Sequence, residues 1–169
     1  NRPTRYAGAR LPNARLARLD LAGVDFSRAD LSNADLSNAN LAGANLAGAN
    51  LAGARLSGAD LSNANLSGAN LTGAVLHGAD LSGANVARAE LIGAELDGTR
   101  CDGADFTGAN LMEASAPAVV FTDAKLSGLS APRATPSRGR TGSQATGRRL
   151  RPARRRRASG RRSARPSRP

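Results

Sequence analysis

Few side chains in this 169-residue chain have the means to do covalent or metal chemistry. It holds one histidine, one cysteine, 13 acids and 24 Lys and Arg. A nucleophile needs a base beside it, and the base needs a third group to orient it. His77 and Cys101 are the only residues of their types, so no Ser-His-Asp or Cys-His arrangement is assured and a His/Cys metal cluster is excluded by number. The Asp-bearing stretches lack the dense Gly-Gly-x-Gly-x-Asp wording of calcium-binding β-helices, and there is no Thr array of the kind that suggests ice binding. A lone cysteine rules out an internal disulfide and leaves the redox compartment open. The expectation is therefore no catalytic residue, no cofactor and no metal. What remains is charge, and the question becomes where the chain puts it.

The positions of these groups are set by a repeat. The run Ala39-Asn40-Leu41-Ala42-Gly43-Ala44-Asn45-Leu46-Ala47-Gly48 reiterates one five-residue word, and its phase extends from Tyr6 to Leu126. Of the 25 central positions, 18 are Leu and three are Phe (Phe26, Phe106, Phe121); the others are Tyr6, Val86, Cys101 and Ala116. Two residues upstream of the centre, 20 of 25 are Ala, the exceptions being Thr4, Leu19, Val24, Thr99 and Val119. Every aromatic residue and the cysteine share one phase, which predicts a single buried column with Cys101 in it as a small hydrophobe. His77 follows a centre and is predicted to face outward.

A period of five excludes the two common elements. In an α-helix each step of five would rotate the Leu by about 140° and smear it around the surface. In a strand successive Leu would alternate faces. To keep every Leu and Ala inside, the chain must turn a corner within each word and coil around its own interior, which is a solenoid. The position two after the centre is mostly Gly, with Asn33, Asn38 and Asn63 among the replacements, as a corner with positive φ requires. The position before the centre is usually Asp or Asn. Short amides stacked coil on coil can bond up and down a ladder and can also satisfy turn amides.

The words Ala-Asp-Leu-Ser-Asn, Ala-Asn-Leu-Ser-Gly and Ala-Asn-Leu-Ala-Gly resemble the pentapeptide-repeat family over roughly residues 6 to 130. The resemblance implies an all-β solenoid, a right-handed quadrilateral β-helix with four words per coil and hence about six coils, or a rod of roughly 30 Å at a strand spacing of about 4.8 Å. With four words per coil, residues 20 apart stack. Asp60 then lies beside Asp80, with Asp20 further along the same column, while Asn45, Asn65 and Asn85 form an uninterrupted amide column.

Composition divides the chain into three. Residues 1–19 carry Arg2, Arg5, Arg10, Arg15 and Arg18 without an acid and read as a basic N-terminal cap and irregular first coil that blunts the sheet end. Residues 20–130 hold all 13 acids against five cations, a net charge of −8, and form the β-helix. Within them the wording fails near Ala114 to Val120, where Pro117 and Ala118 replace the small-Gly pair. This predicts either a distorted corner or the end of the regular helix, with residues 121–130 as a cap. Residues 131–169 contain 14 Arg and neither acid nor Lys; such a segment cannot bury a core and is predicted to be a disordered basic tail, although a purely solvated or spurious extension fits the same composition. No stretch approaches the roughly 20 apolar residues of a membrane span. The chain begins at Asn1 rather than Met; localisation stays open, with the cytoplasm favoured.

A narrow interior filled with Leu and Ala leaves no room for a pocket. The expected function is that of a non-catalytic scaffold whose outer faces bind another macromolecule, its protein partner unidentified. Asp60 and Asp80 mark the acidic side, and Arg154, Arg155, Arg156 and Arg157 the densest basic run, suited to non-specific nucleic acid or an anionic surface. The family resemblance implies an alternative, a DNA mimic that occupies DNA gyrase and confers quinolone resistance. Arg10, Arg15, Arg55 and Arg100 on the faces and the absence of an amphipathic C-terminal helix argue against both that mimicry and dimerisation.

Overall fold

The computed structural model describes residues 5–130, and in them the five-residue word is the unit of conformation. Each word contributes one bridging residue, the one before the centre, and a two-residue turn after it. Every bridge is parallel and joins residues 20 apart, from Arg5↔Asp25 to Asn110↔Ser130. The chain therefore turns four corners before it lies on itself again. The bridges never widen into longer strands, because a word with two residues in its corner has too few left to extend a ladder. We label the four sides by their bridging residues: A begins with Arg5 and Asp25, B with Arg10 and Asp30, C with Arg15 and Asp35, and D with Asp20 and Asn40, each continuing every 20 residues.

The backbone accounting of one word explains its sequence. In the word centred on Leu51, Asn50 N–H donates to Ala29 of the preceding coil, while Leu51 N–H and Gly53 N–H donate to Asn70 and Thr72 of the following coil. Ala54 N–H closes the corner on the Leu51 carbonyl at 3.0 Å. One amide, that of Ala52, is left, and the Asn50 side-chain oxygen accepts it at 3.2 Å. All five N–H groups are thereby satisfied. Asp or Asn before the centre is the residue that supplies this last acceptor. Pro12 and Pro117 occupy the position whose N–H would otherwise need it, and the residues before their centres, Arg10 and Ser115, offer no such bond. The corner has the form of a type II turn, which takes Pro at its second residue and needs positive φ at its third. There Gly53 has φ 67° and Asn33 has φ 55°.

Inside the coils the centres and upstream alanines form one continuous core from Leu21 to Phe121. Leu31 to Leu81 at every centre are at most 1% exposed. Burying a Leu contributes about 1.5–3 kcal/mol, whereas fixing the backbone costs about 1–2 kcal/mol per residue, so no word is stable without the coils above and below it. Thr99, an upstream position that is not apolar, is buried and donates its hydroxyl to the Leu76 carbonyl at 2.8 Å. The aromatic centres cluster towards the ends: Tyr6 stacks on Phe26, and Phe106 meets Phe121 edge-on, each pair at 5.4 Å. Tyr6 and Leu19 remain exposed on the first coil, and Leu11 and Leu16 are only partly covered.

Bridge and turn spacing continues through residues 5–19 and through residues 114–130. Of the two outcomes expected near Ala116, the first describes the geometry: register is kept and the corner is loosened. Gly98 N–H reaches the Pro117 carbonyl at 3.3 Å and Cys101 N–H the Val120 carbonyl at 3.2 Å, against 2.7–2.9 Å for the corresponding bonds of the central coils. Residues 131–169, and with them the predicted basic tail, lie outside the described residues.

Candidate interaction surface

The outside of the solenoid is made of the bridging residues and the corners. Assigning each corner to the side it follows, side A carries Arg5, Arg28, Arg88 and Lys125 against Asp25 and Asp105, a net +2; side B is −2 and side C is neutral with His77 uncharged. Side D carries Asp20, Asp60, Asp80, Asp102 and Asp123 against Arg100 alone, a net −4. It is the acidic surface of the rod.

Asp60 and Asp80 fall together on side D as parallel bridge partners. Among the described residues they are the one bridge that joins two acids. Elsewhere, apart from Glu95 between Val75 and Ser115, an acid stacks on an amide or a cation: Asn40 donates to Asp20 at 2.9 Å, Asn45 to Asp25 at 3.1 Å, Asn50 to Asp30 at 3.0 Å and Asn110 to Glu90 at 2.9 Å. The amide column continues on side A with Asn65 donating to Asn45 at 3.4 Å. The same oxygen of Asp25 also accepts the Ser27 N–H at 3.0 Å. That backbone bond, helped by the Ser27 hydroxyl, Asn45 and Arg5, holds the Asp25 carboxyl below its ordinary pKa of 3.8 against the opposing effect of burial.

On side D, Arg100 forks between Asp80 at 3.3 Å and Asp102 at 3.6 Å. Partial burial works to raise the Asp80 pKa, but hydrogen bonding from Ser82 and the Arg100 charge outweigh it and the net shift is downward. Asp60 accepts the Ser62 N–H at 2.9 Å. The acids Asp102 and Asp123 and the clamp by Arg100 were not singled out from the sequence. Arg100 follows directly from the 20-residue stacking rule, whereas Asp102 and Asp123 sit in corners, where the ladder rule is silent.

The other candidates for chemistry are His77 and Cys101. His77 Nε2 lies 2.8 Å from Glu95 in an exposed pair on side C. Cys101 is buried; loss of solvation, with the Asp102 and Asp80 carboxylates adding to it, pushes its thiol up to about 12. Among the described residues no three His, Cys, Asp or Glu converge as a metal cluster, and no helix is long and apolar enough to cross a membrane. Arg154, Arg155, Arg156 and Arg157 lie outside the described residues.

A family model of pentapeptide repeats matches this chain in eight copies, over residues 7–38, 39–78, 74–112 and 89–128. No curated protein matches it by sequence. Among solved structures it is similar to HetL, a pentapeptide repeat protein involved in heterocyst differentiation regulation in the cyanobacterium Nostoc sp. strain PCC 7120, at 30% identity over 75% of this chain and 73% of that one, with a TM-score of 0.28. It is also similar to a second pentapeptide repeat protein of Nostoc PCC 7120, at 37% identity over 64% of this chain and 70% of that one, TM-score 0.31. A third is QnrB1, a plasmid-mediated fluoroquinolone resistance protein, at 21% identity over 71% of this chain and 78% of that one, TM-score 0.29.

Proposed function

The chain belongs to the pentapeptide-repeat family, and from that premise we propose that it is a non-catalytic scaffold that engages another macromolecule through its outer faces, with the segment 131–169 as a tether to nucleic acid or another anionic surface. The observation that carries this reading is the filled interior: the core from Leu21 to Phe121 is close-packed side chain, so recognition falls to the ladders and corners outside. In this reading the solenoid is the right-handed, four-sided form of the family with about six coils. Residues 1–19 serve as its basic cap, residues 20–130 as its body and residues 131–169 as the tether. Asp60 and Asp80 belong to the acidic contact side, and Arg154, Arg155, Arg156 and Arg157 to the phosphate-binding run. The partner bound by the faces is a protein, and no cofactor is needed.

The tether is tested on the full chain by neutralising its densest run. Duplex-DNA affinity measured across a salt series has a slope of about −0.9 per phosphate contact. The combined substitution Arg154→Ala, Arg155→Ala, Arg156→Ala and Arg157→Ala is expected to make the slope shallower by up to about 3–4. Identical slopes for the two proteins would refute the assignment.

The acids of side D favour a second reading, in which this side imitates duplex DNA towards DNA gyrase. Magnitude places it second. Duplex DNA presents one charge per ~1.7 Å, or about 18 over a rod of roughly 30 Å, while side D offers a net −4 and is interrupted by Arg100. Inhibition of gyrase supercoiling at micromolar protein would promote the second reading, and its absence would retire it.

A further inference from the structure

Side D has a ligand available within its own chain. We infer that the Arg-rich segment 131–169 docks in cis along side D, with guanidinium groups seated on Asp60 and Asp80, so that this acidic face and nucleic acid compete for one tail.

Three observations converge on it. First, Asp60↔Asp80 is the only acid-on-acid bridge among the described residues. Their backbones lie about 4.8 Å apart, and unlike the acid–amide pairs they have no ladder hydrogen bond between their side chains. Arg100 is already committed to Asp80 and Asp102, and no described cation lies within ion-pair distance of Asp60. A guanidinium presents five N–H donors in a planar fork and suits two neighbouring carboxylates better than an ammonium would. Second, the charges are complementary: side D is the most acidic of the four at −4, while residues 131–169 supply 14 Arg, no Lys and no acid. Third, the segment reaches. The described residues end at Ser130 on side B, opposite side D, and Asp80 and Asp60 lie two and three coils back from Val120, the last described residue of the side D column. That is about 10–14 Å along the rod. Arg154 follows Ser130 by 24 residues, enough to span up to about 80 Å. Attachment in cis also gives the segment an effective concentration on the order of millimolar, which a free basic protein does not match.

The competition with nucleic acid rests on the tether reading above, but the docking does not, and one protein tests both. In the full chain, a nitroxide on Ser159→Cys marks the tail, because the buried Cys101 thiol stays unlabelled. At low salt the amide resonances of Asp60, Ser62, Asp80 and Ser82 are expected to lose roughly half their intensity and to regain it at about 0.5 M salt, where the screening length falls to roughly 4 Å. Asn45 and Asn65 on side A and Asn50 and Asn70 on side B, being further from the label, should lose distinctly less. The double substitution Asp60→Asn and Asp80→Asn, which installs the residue the ladder already uses, is expected to abolish the effect. Broadening that is absent, or equal on all four sides, overturns the docking. Broadening transferred between molecules in a mixture of spin-labelled and isotope-labelled protein overturns its cis character. Where the tail binds DNA, the same double substitution should tighten that binding by roughly three- to tenfold, and an unchanged affinity overturns the competition. Should the tail bind no DNA, the broadening still reports on the docking by itself.

Discussion

The corner geometry makes a pair of glycines that look interchangeable in sequence unequal in the fold. Gly53 and Gly68 both have positive φ, 67° and 64°, and both are followed by Ala. A Cβ built at Gly68 meets nothing within 4 Å, whereas one at Gly53 falls 2.5 Å from the Asn33 side-chain oxygen of the preceding coil. Gly68→Ala therefore incurs only the left-handed backbone cost of about 1–2 kcal/mol, partly offset by the smaller conformational entropy of the unfolded chain, about 0.4–1 kcal/mol. A net loss of about 1 kcal/mol or less is expected. Gly53→Ala incurs the same terms and must also turn the Asn33 amide aside. The fold already contains an Asn beneath a side-chain-bearing corner, Asn13 beneath Asn33, so the amide can turn, at the order of an off-rotamer side chain, about 0.5–1.5 kcal/mol. The readout is the urea midpoint at constant m, converted to free energy for each variant. In a double-mutant cycle, Asn33→Gly should remove the excess cost of Gly53→Ala, with a coupling of about 0.5–1.5 kcal/mol. Equal costs at the two glycines, or a coupling of zero, would show that the contact between stacked corners does not shape stability and would undo the reasoning.

Three further outcomes are expected. Leu51→Ala, at a fully buried centre, should cost about 2–5 kcal/mol through lost transfer energy and a cavity, while Leu11→Ala on the partly covered first coil should cost less than half as much; thermal and urea unfolding of the two variants decides. Cys101, with its pKa pushed up to about 12, should resist a thiol reagent at neutral pH until denaturant opens the coil, and modification of the native protein in minutes would contradict its burial. Asp25, Asp30, Asp35, Asp80 and Asp105 titrate below their ordinary 3.8 when folded. Their stabilisation is thus complete above that value and is lost as pH falls through the folded pKa values, so the urea midpoint should hold steady down to about pH 5 and drop below about pH 4. Asp25→Asn combined with Asp30→Asn should flatten that acid limb.

Much of this architecture was legible because every word makes the same physical demand. Leu at the centre and Ala upstream had to share an interior, and the aromatic residues and Cys101 fall on the same phase. The Asp or Asn before the centre was readable as both ladder and turn acceptor, and a single oxygen of Asp25 does both. A period of five does not say how many words close a coil. That number depends on the corner angle, so the pairing of residues 20 apart had to come from the family likeness and then from the bridges. Near Ala116 the words break while the register holds, because bridging uses backbone groups and Ala118 accepts a φ of 61° there. The clash waiting above Asn33 and the fork of Arg100 between Asp80 and Asp102 depend on side-chain directions that no spacing rule contains. Asp60 and Asp80 were found together as expected, but the acids that complete side D sit in corners.

Each word donates two backbone N–H groups towards the following coil and only one towards the preceding coil. Peptide dipoles of the surplus bond point the same way in every word, and the rod acquires an electrical axis, much as an α-helix does but with the opposite sense. Among the described residues, the first coil is left rich in carbonyls and the last coil rich in amides without a backbone partner. Arg5, Arg10, Arg15 and Arg18 crowd the carbonyl-rich rim, so the cations of the N-terminal end act as counter-charges to the backbone itself, and replacing them with acids would set side chain against main chain around that whole rim.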